Sequence, residues 1–139
     1  MVLCENMEDK LLLLQDLCAR FPYGVKVHKK NSELDGTLID TELRNGLLVI
    51  TTPKISVCTI SIDECKPYLR PMSSMTEEEK KERGHYIYDL IGDNLLTYEV
   101  GFDIEDIIFE YIDWLNRHHF DYRGLIEKGL ALEAPEGMY

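Results

Sequence analysis

The residues best suited to chemistry in this sequence are four carboxylates in one short stretch: Asp103, Asp106, Glu110 and Asp113. If the stretch is helical, steps of about 100° per residue bring all four within about 80° of one another. They repel one another, because no Lys or Arg occurs at residues 84–116. A hard cation needs about six or more converging oxygens, which one helix edge does not supply. The stretch therefore predicts either a surface for a basic partner or a solvated helix face.

A cluster of aromatic and basic residues follows at residues 114–124. Arg117, Tyr122 and Arg123 belong to the residue types that dominate protein–protein hot spots. Together with the four carboxylates they are our candidate partner-binding residues. The alternative interpretation is that Trp114, Phe120 and Tyr122 anchor the end of the chain on the core, and it predicts a buried Trp114.

The sequence contains no motif for nucleophilic catalysis or phosphate binding. The four cysteines are separated by 14, 40 and 7 residues, unlike the close pairs of zinc sites: Cys4, Cys18, Cys58 and Cys65. The adjacent His118 and His119 point about 100° apart on a helix, so they are not a zinc-binding pair. These observations predict a non-enzymatic protein without metal or cofactor, whose cysteines are reduced and buried.

The charge is distributed unevenly. Of 15 basic and 26 acidic side chains, residues 1–70 carry nine and ten, net −1, and residues 71–139 carry six and 16, net −10. The acidic half disfavours nucleic-acid binding and favours a basic protein partner. Two nucleic-acid alternatives stay open. The basic residues of the first half could contact nucleic acid, or the acidic half could mimic DNA toward a host protein; those basic residues are Lys26, Lys29, Lys30 and Arg44.

At 139 residues and 45% hydrophobic, the chain is long and apolar enough for one domain with a real core. No apolar run approaches the roughly 18 residues that cross a bilayer. The first residues lack the basic region of a secretion signal. We therefore expect a cytoplasmic protein that does not contact membranes; its oligomeric state does not follow from the sequence.

The pattern of the first half predicts one helix and a sheet. Residues 6–20 have helical periodicity, with Met7, Leu11, Leu14 and Cys18 on the apolar face. Residues 25–62 then alternate with a period of two, and Asn45-Gly46 is the preferred pair of a type I′ hairpin turn. This half, residues 1–65, predicts a four- to five-stranded antiparallel sheet or small barrel packed on the helix.

The second half predicts helices. Residues 66–75, with two prolines, predict an extended connector, and capping boxes at Ser74/Glu77 and Thr76/Glu79 predict a helix at 76–90. Residues 93–102 fit either a strand or a loop. A helix from Asp103 to about residue 119 should bury one face on the sheet: Ile104, Ile107, Ile108, Tyr111, Ile112, Trp114 and Leu115. A short helix at 121–128 and an exposed segment at 135–139, which docks or frays, complete a single α+β domain.

Several blocks resemble a family of small uncharacterised proteins of phages, prophages and mobile elements of gut bacteria. The blocks are LCARFPYGV at residues 17–25, KPYLRPMSSMTEEE at 66–79, DWLN with FDYRGLI at 113–126, and GLALEAPEGM at 129–138. The resemblance implies a mobile-element setting and a bacterial cytoplasmic location. It implies no activity, cofactor or site residue. Our leading hypothesis is therefore a non-enzymatic accessory protein that acts through a protein partner.

Overall fold

The computed structural model describes residues 2–42, 45–53, 56–91 and 104–139. The expected cap Asp103 and the ambiguous residues 93–102 lie outside these ranges, as do the side chains of Cys4 and Ile104. The described elements, in chain order, are α1 (Val2–Arg20), β1 (Lys26–Lys29), β2 (Asp35–Glu42), β3 (Leu47–Thr51), β4 (Cys58–Ser61), β5 (Cys65–Leu69), α2 (Glu77–Ile91), α3 (Ile104–Arg117) and β6 (Leu132–Glu133).

The strands form one sheet in the order β4-β3-β2-β1-β5-β6. The first five strands pair antiparallel, and β6 pairs parallel with β5, through Tyr68 with Leu132 and Leu69 with Glu133. The α+β class is confirmed. The expectation of four or five antiparallel strands or a barrel is wrong, because the described sheet has six strands, is mixed and does not close. Strand β6 follows the helices in the chain, so the pattern of residues 1–65 cannot predict it.

The hairpin of β2 and β3 is confirmed, with Glu42 opposite Leu47. Gly46 has a φ of +64°, a conformation that glycine adopts without the steric cost other residues bear. Among the described residues of this turn, Gly46 alone has positive φ, whereas a type I′ turn needs positive φ at both central residues. The pair therefore ends a longer turn than the one expected.

The segment expected as a connector is extended, but its first part is strand β5 inside the sheet. Lys30 donates its backbone N–H to Glu64 at 2.7 Å, and hydrogen-bonded pairs of an antiparallel ladder recur at every second residue. Pro67, opposite Val27, thus falls at a position that makes no ladder bond with β1. Its missing N–H costs nothing there, so proline did not exclude a strand.

Helix α1 buries a different face from the expected one. Met7 is 64% exposed, and Leu11 and Cys18 are also exposed. The buried positions are Leu13, Asp16, Leu17 and Arg20, which share one face at helical spacing. Two of them are charged, and burial is tolerated because they pair with each other. A count of apolar residues cannot identify such a face.

The described interior consists of two hydrophobic clusters. The sheet core joins α1 to the sheet through aliphatic side chains, among them Leu17, Val27, Leu38, Ile50 and Leu69. The aromatic cluster is made of Trp114 and Phe120 with Tyr86, Tyr111, Tyr122, Leu115, Met72 and Met75 around them. Trp114 is 2% exposed, which confirms its predicted burial.

Helix α3 packs mainly on α2, where Tyr111 and Tyr86 stack with ring centroids 5.7 Å apart. The expectation that its apolar face lies on the sheet is therefore wrong. Ile108 is exposed, and Ile107 and Ile112 are half-buried. The described residues of α2 therefore cover only part of the apolar face of α3.

Local signals account for the start of α2 but not for residues 121–128. The Thr76–Glu79 capping box is confirmed, because the Glu79 N–H donates to the Thr76 hydroxyl at 3.2 Å and Thr76 N–H donates to Glu79 at 2.9 Å. Residues 121–128 form turns rather than the expected helix. The Asp121 carboxylate accepts the backbone N–H groups of Leu125 and Ile126, and the hydrogen bond of helical type from the Lys128 N–H to the Gly124 carbonyl, at 3.3 Å, does not continue into a helix.

Within the ranges that the structure describes, no helix is both long and apolar enough to span a membrane.

Candidate functional site

The outer side of α3 carries an exposed aromatic ring among carboxylates. Asp106, Phe109, Glu110 and Asp113 are spaced three and four residues apart, so they share one face of the helix. All four are exposed, and Phe109 is exposed to 65%. The opposite side of the helix contains the buried Trp114 and Leu115. We call these four exposed residues the acidic face.

Asp113 is fixed at one end of the acidic face. It accepts a hydrogen bond from the Tyr23 hydroxyl, just after α1, and lies 3.8 Å from the Arg117 guanidinium. The hydrogen bond to the Asp113 carboxylate raises the pKa of Tyr23, because the carboxylate stabilises the protonated phenol. Arg117 is exposed and partly offsets the charge of Asp113.

Asp106 and Glu110, in contrast, form no ion pair with any other residue in the described ranges. Their charges face solvent, on either side of the Phe109 position along the helix. An exposed phenyl ring between two unpaired carboxylates offers both apolar area and negative potential to a partner.

The remaining candidates from the sequence lie elsewhere. Arg123 reaches inward to the buried Asp16 at 2.8 Å, and Tyr122 donates its hydroxyl to Asn116 at 2.8 Å. The Arg123 guanidinium lies 4.5 Å from the Tyr122 ring centroid. These contacts tie the segment after α3 to α1, as the anchoring interpretation expects, while the seven-residue partner site as a whole stays a prediction. Asp103 is outside the described residues.

A second acidic feature lies at the junction of β5, α2 and residues 133–139. Arg70 donates two hydrogen bonds of 2.7 Å to Glu79, one to each carboxylate oxygen. These bonds hold the pKa of Glu79 near 2. A groove of about 710 Å³ opens beside this pair, and Glu78, Glu82, Glu133 and Glu136 line it.

Aromatic rings support the same junction. The Arg70 guanidinium lies 4.2 Å from the centroid of the fully buried Phe120 ring, in a cation–π arrangement. Phe120 also stacks on Trp114 at 5.7 Å, and the Trp114 indole N–H donates to Glu82 at 2.8 Å. The groove wall is therefore continuous with the aromatic cluster.

The described residues contain no group of three or more His, Cys, Asp or Glu side chains placed to hold a metal ion. The cysteines differ from one another in their environments. Cys65 is buried, and desolvation raises the pKa of its thiol to about 12, whereas Cys58 is half-buried. Cys18 is exposed, so the expectation that it is buried is wrong. Cys18 is exposed because α1 buries a different face from the expected one.

Two of the basic residues proposed for nucleic-acid contact have partners among the described residues. Lys29 lies 3.7 Å from Glu64, and the Lys26 ammonium donates to the Met138 carbonyl at 3.4 Å. Lys30 is exposed, and Arg44 lies outside the described residues. The Glu64 carboxylate thus offsets part of the positive charge that this alternative needs.

In comparisons with protein-family models, curated proteins and solved structures, the chain has no match.

Sequence reasoning found the carboxylates of the acidic face but missed Phe109. Phe109 belongs neither to the apolar face predicted for α3 nor to the four candidate carboxylates. The available signal was its position, three residues after Asp106 and four before Asp113. An aromatic residue on the acidic side of an amphipathic helix cannot be buried with the apolar arc.

Proposed function

We propose that this chain is a non-enzymatic interaction protein that binds a basic, partly apolar segment of a protein partner through the acidic face of α3. The observation that carries the proposal is the 65% exposure of Phe109 among the exposed carboxylates Asp106, Glu110 and Asp113. Burial of a phenyl ring contributes about 1.5–3 kcal/mol, and aromatic residues are frequent anchors of interfaces.

The charges of the acidic face define the kind of partner. Asp106 and Glu110 lack ion pairs with other described residues, and the whole chain carries a net charge of −11. Lys or Arg side chains beside an apolar residue would complement this surface and accelerate encounter at low salt. A helical segment with basic and apolar residues at intervals of three and four would match the spacing on α3.

The setting of this function is part of the same proposal. The resemblance in the blocks at residues 17–25, 66–79, 113–126 and 129–138 supports an accessory protein of a phage or mobile element in a bacterial cytoplasm. The lack of catalytic motifs in the sequence supports a role in binding rather than in catalysis.

Site-specific photo-crosslinking tests the proposal. A benzophenone amino acid replaces Phe109 in one variant and Val57, which is 56% exposed on a loop, in a matched control. After irradiation in lysate of the source organism, we expect discrete protein adducts at position 109 and none of the same mass at position 57. Asp106→Lys with Glu110→Lys should abolish them, because the double substitution reverses the complementary charge.

A second control separates local from global charge. Glu8→Lys with Glu33→Lys makes the same change in net charge at two exposed residues away from α3, and should leave the adducts intact. The proposal fails if adducts form equally at both positions or survive reversal of the acidic face. Adducts that nuclease removes would instead support the nucleic-acid alternative.

A further inference from the structure

Residues 135–139 fold back onto the sheet, and we call them the strap. The Met138 N–H donates to the Pro135 carbonyl at 3.1 Å, and the Met138 carbonyl accepts from the Lys26 ammonium at 3.4 Å. The principal anchor is Tyr139. Its hydroxyl accepts the backbone N–H of Lys26 and donates to the carbonyl of Tyr68, both at 2.8 Å.

The Tyr139 hydroxyl fills a gap in the ladder between β1 and β5. Lys30 and Glu64 form a hydrogen-bonded pair, and such pairs recur at every second residue, so Lys26 and Tyr68 are opposite each other as another pair of this kind. The Tyr139 hydroxyl bridges the Lys26 N–H and the Tyr68 carbonyl of this pair. The strap thus satisfies two backbone groups of the sheet, and its release leaves both without this partner.

The ring of Tyr139 rests on His119. Their centroids are 3.8 Å apart and their planes differ by 21°. His119 is only 4% exposed and has a φ of +61°, and its Nδ1 has no hydrogen-bond partner among the described residues. The His119 imidazole is therefore buried under the Tyr139 ring with its Nδ1 atom lacking a hydrogen bond to the described residues.

The charges around His119 are mainly positive. Arg20 approaches from α1 and Arg70 from the end of β5, each already paired with a carboxylate, Asp16 and Glu79 respectively. His118 adds a third basic group from the same segment, and Tyr139 and Tyr68 are neutral phenols. Burial first, and then Arg20, lower the pKa of His119 to about 4, while a hydrogen bond with the Tyr23 backbone acts in the opposite direction.

We propose that the strap is an acid-released closure, which lies over the sheet at neutral pH and leaves when His119 takes up a proton. A proton on His119 would add a buried cation beside Arg20 and Arg70 and a second N–H donor without an acceptor. In the closed state the strap and Glu133 form one wall of the groove beside Arg70 and Glu79. Release widens that groove. The proposal does not depend on the acidic face of α3.

The direction and size of the effect follow from linkage. In the closed state the pKa of His119 is about 4, and loss of the stacked Tyr139 ring exposes the imidazole and raises this pKa toward the ordinary value of about 6.5, so closure weakens as the pH falls below about 6.5. The ratio of closed to released molecules should decrease by at most roughly 30-fold at pH 5, the limit for full recovery of the ordinary pKa, and Arg20 and Arg70 keep the decrease below that limit. Glu79, with a pKa of about 2, remains ionised at that pH and keeps Arg70 in place.

Hydrogen exchange of the Lys26 amide tests the proposal, because Tyr139 is its acceptor. Protection factors are corrected for the intrinsic exchange rate at pH 7.5 and pH 5, and the Ile50 amide in the sheet core reports global opening. We expect Lys26 protection to decrease by more than about 3-fold and at most about 30-fold in the full chain while Ile50 stays protected. Tyr139→Ala should leave Lys26 unprotected at both pH values with Ile50 unchanged.

Two histidine variants identify the titrating group. His119→Phe keeps a ring under Tyr139 and removes the proton site, so Lys26 protection should change less than 3-fold between the two pH values. His118→Gln, the adjacent control, should behave like the unaltered chain. The proposal is overturned if Lys26 stays protected at pH 5, if it loses protection only together with Ile50, or if His118→Gln removes the pH dependence. All three outcomes stay decisive even if His119→Phe does not fold.

Discussion

The sheet core and the aromatic cluster differ in what surrounds their buried side chains. The sheet core is aliphatic, and its strands satisfy most of their backbone groups by pairing with one another, with a register shift between Leu38 and Asp40. The aromatic cluster contains Trp114 and Phe120, and ionised groups contact both rings: Glu82 accepts from the indole, and Arg70 lies over the phenyl ring. Burial of apolar surface therefore accounts for the packing of the sheet core, whereas the aromatic cluster also depends on the positions of Glu82 and Arg70.

Asp16 and Arg20 join the two regions. Both side chains are fully buried, with Arg20 Nε 2.9 Å from the Asp16 carboxylate. Arg20 also donates to the Phe120 carbonyl at 2.6 Å, and Arg123 donates to Asp16 at 2.8 Å. A helix that belongs to the aliphatic core thus holds the aromatic cluster through a chain of charge-assisted hydrogen bonds.

The largest effect should come from breaking this junction. Asp16→Ala leaves Arg20 buried without its carboxylate, and we expect a loss of about 3–5 kcal/mol in the free energy of unfolding. Urea denaturation followed by circular dichroism measures it. Glu8→Ala, an exposed carboxylate of the same helix, should change stability by less than about 0.5 kcal/mol. Equal losses in the free energy of unfolding would show that the buried Asp16–Arg20 pair contributes no more to stability than an exposed carboxylate.

An effect of about the same size should come from the aromatic cluster itself. Trp114→Ala removes a side chain that contacts Tyr86, Tyr111 and Phe120, and should cost roughly 3–5 kcal/mol. Phe109→Ala, on the exposed side of the same helix, should stay within about 0.5 kcal/mol of the unaltered chain. Thermal unfolding of both variants distinguishes the two faces. A near-unchanged melting curve for Trp114→Ala would make its face a surface.

A smaller effect, with a defined pH dependence, should come from Glu79→Gln. Loss of the paired charge should cost about 1.5–3 kcal/mol at pH 7. Because the folded pKa of Glu79 is near 2 and the unfolded value is near 4.3, its contribution is present above about pH 4.5 and disappears as the pH falls toward 2. Urea denaturation at pH 7, 4 and 2.5 should show the difference shrinking.

The control for this titration is Glu77→Gln in the same turn, where the side chain is 85% exposed. Glu77→Gln should leave the free energy of unfolding almost unchanged at each pH. If the effect of Glu79→Gln is the same at pH 7 and pH 2.5, the Arg70 pair does not act through its charge, and the contrast between the two regions weakens.

Sequence patterns predicted the features whose causes are local. The Asn45-Gly46 hairpin, the Thr76–Glu79 capping box and the helix that carries the acidic residues each depend on contacts within a few positions, and each is present. The buried face of α1 could not be found this way. Asp16 and Arg20 look like surface residues until Phe120 and Arg123, about a hundred positions away, supply their other partners.

The same reasoning applies to the candidate site and to the strap. Helical spacing identified the carboxylates of the acidic face, since a helix fixes which residues share a side. Tyr139 carried no such signal. Its role depends on a gap in the pairing of two strands that lie 71 and 113 residues earlier in the chain.

Those separations have a consequence for the order of events during protein synthesis. A ribosome has made α1 and strands β1 to β5 long before it reaches Phe120, Arg123 and Tyr139. Until then the Asp16–Arg20 pair can form within its helix but stays hydrated, and the Lys26 amide lacks its phenol partner. Contacts between such distant positions slow folding, because a long loop must close before they are gained. Nascent chains of this protein should therefore expose the edge of β5 to chaperones until residues 132–139 emerge.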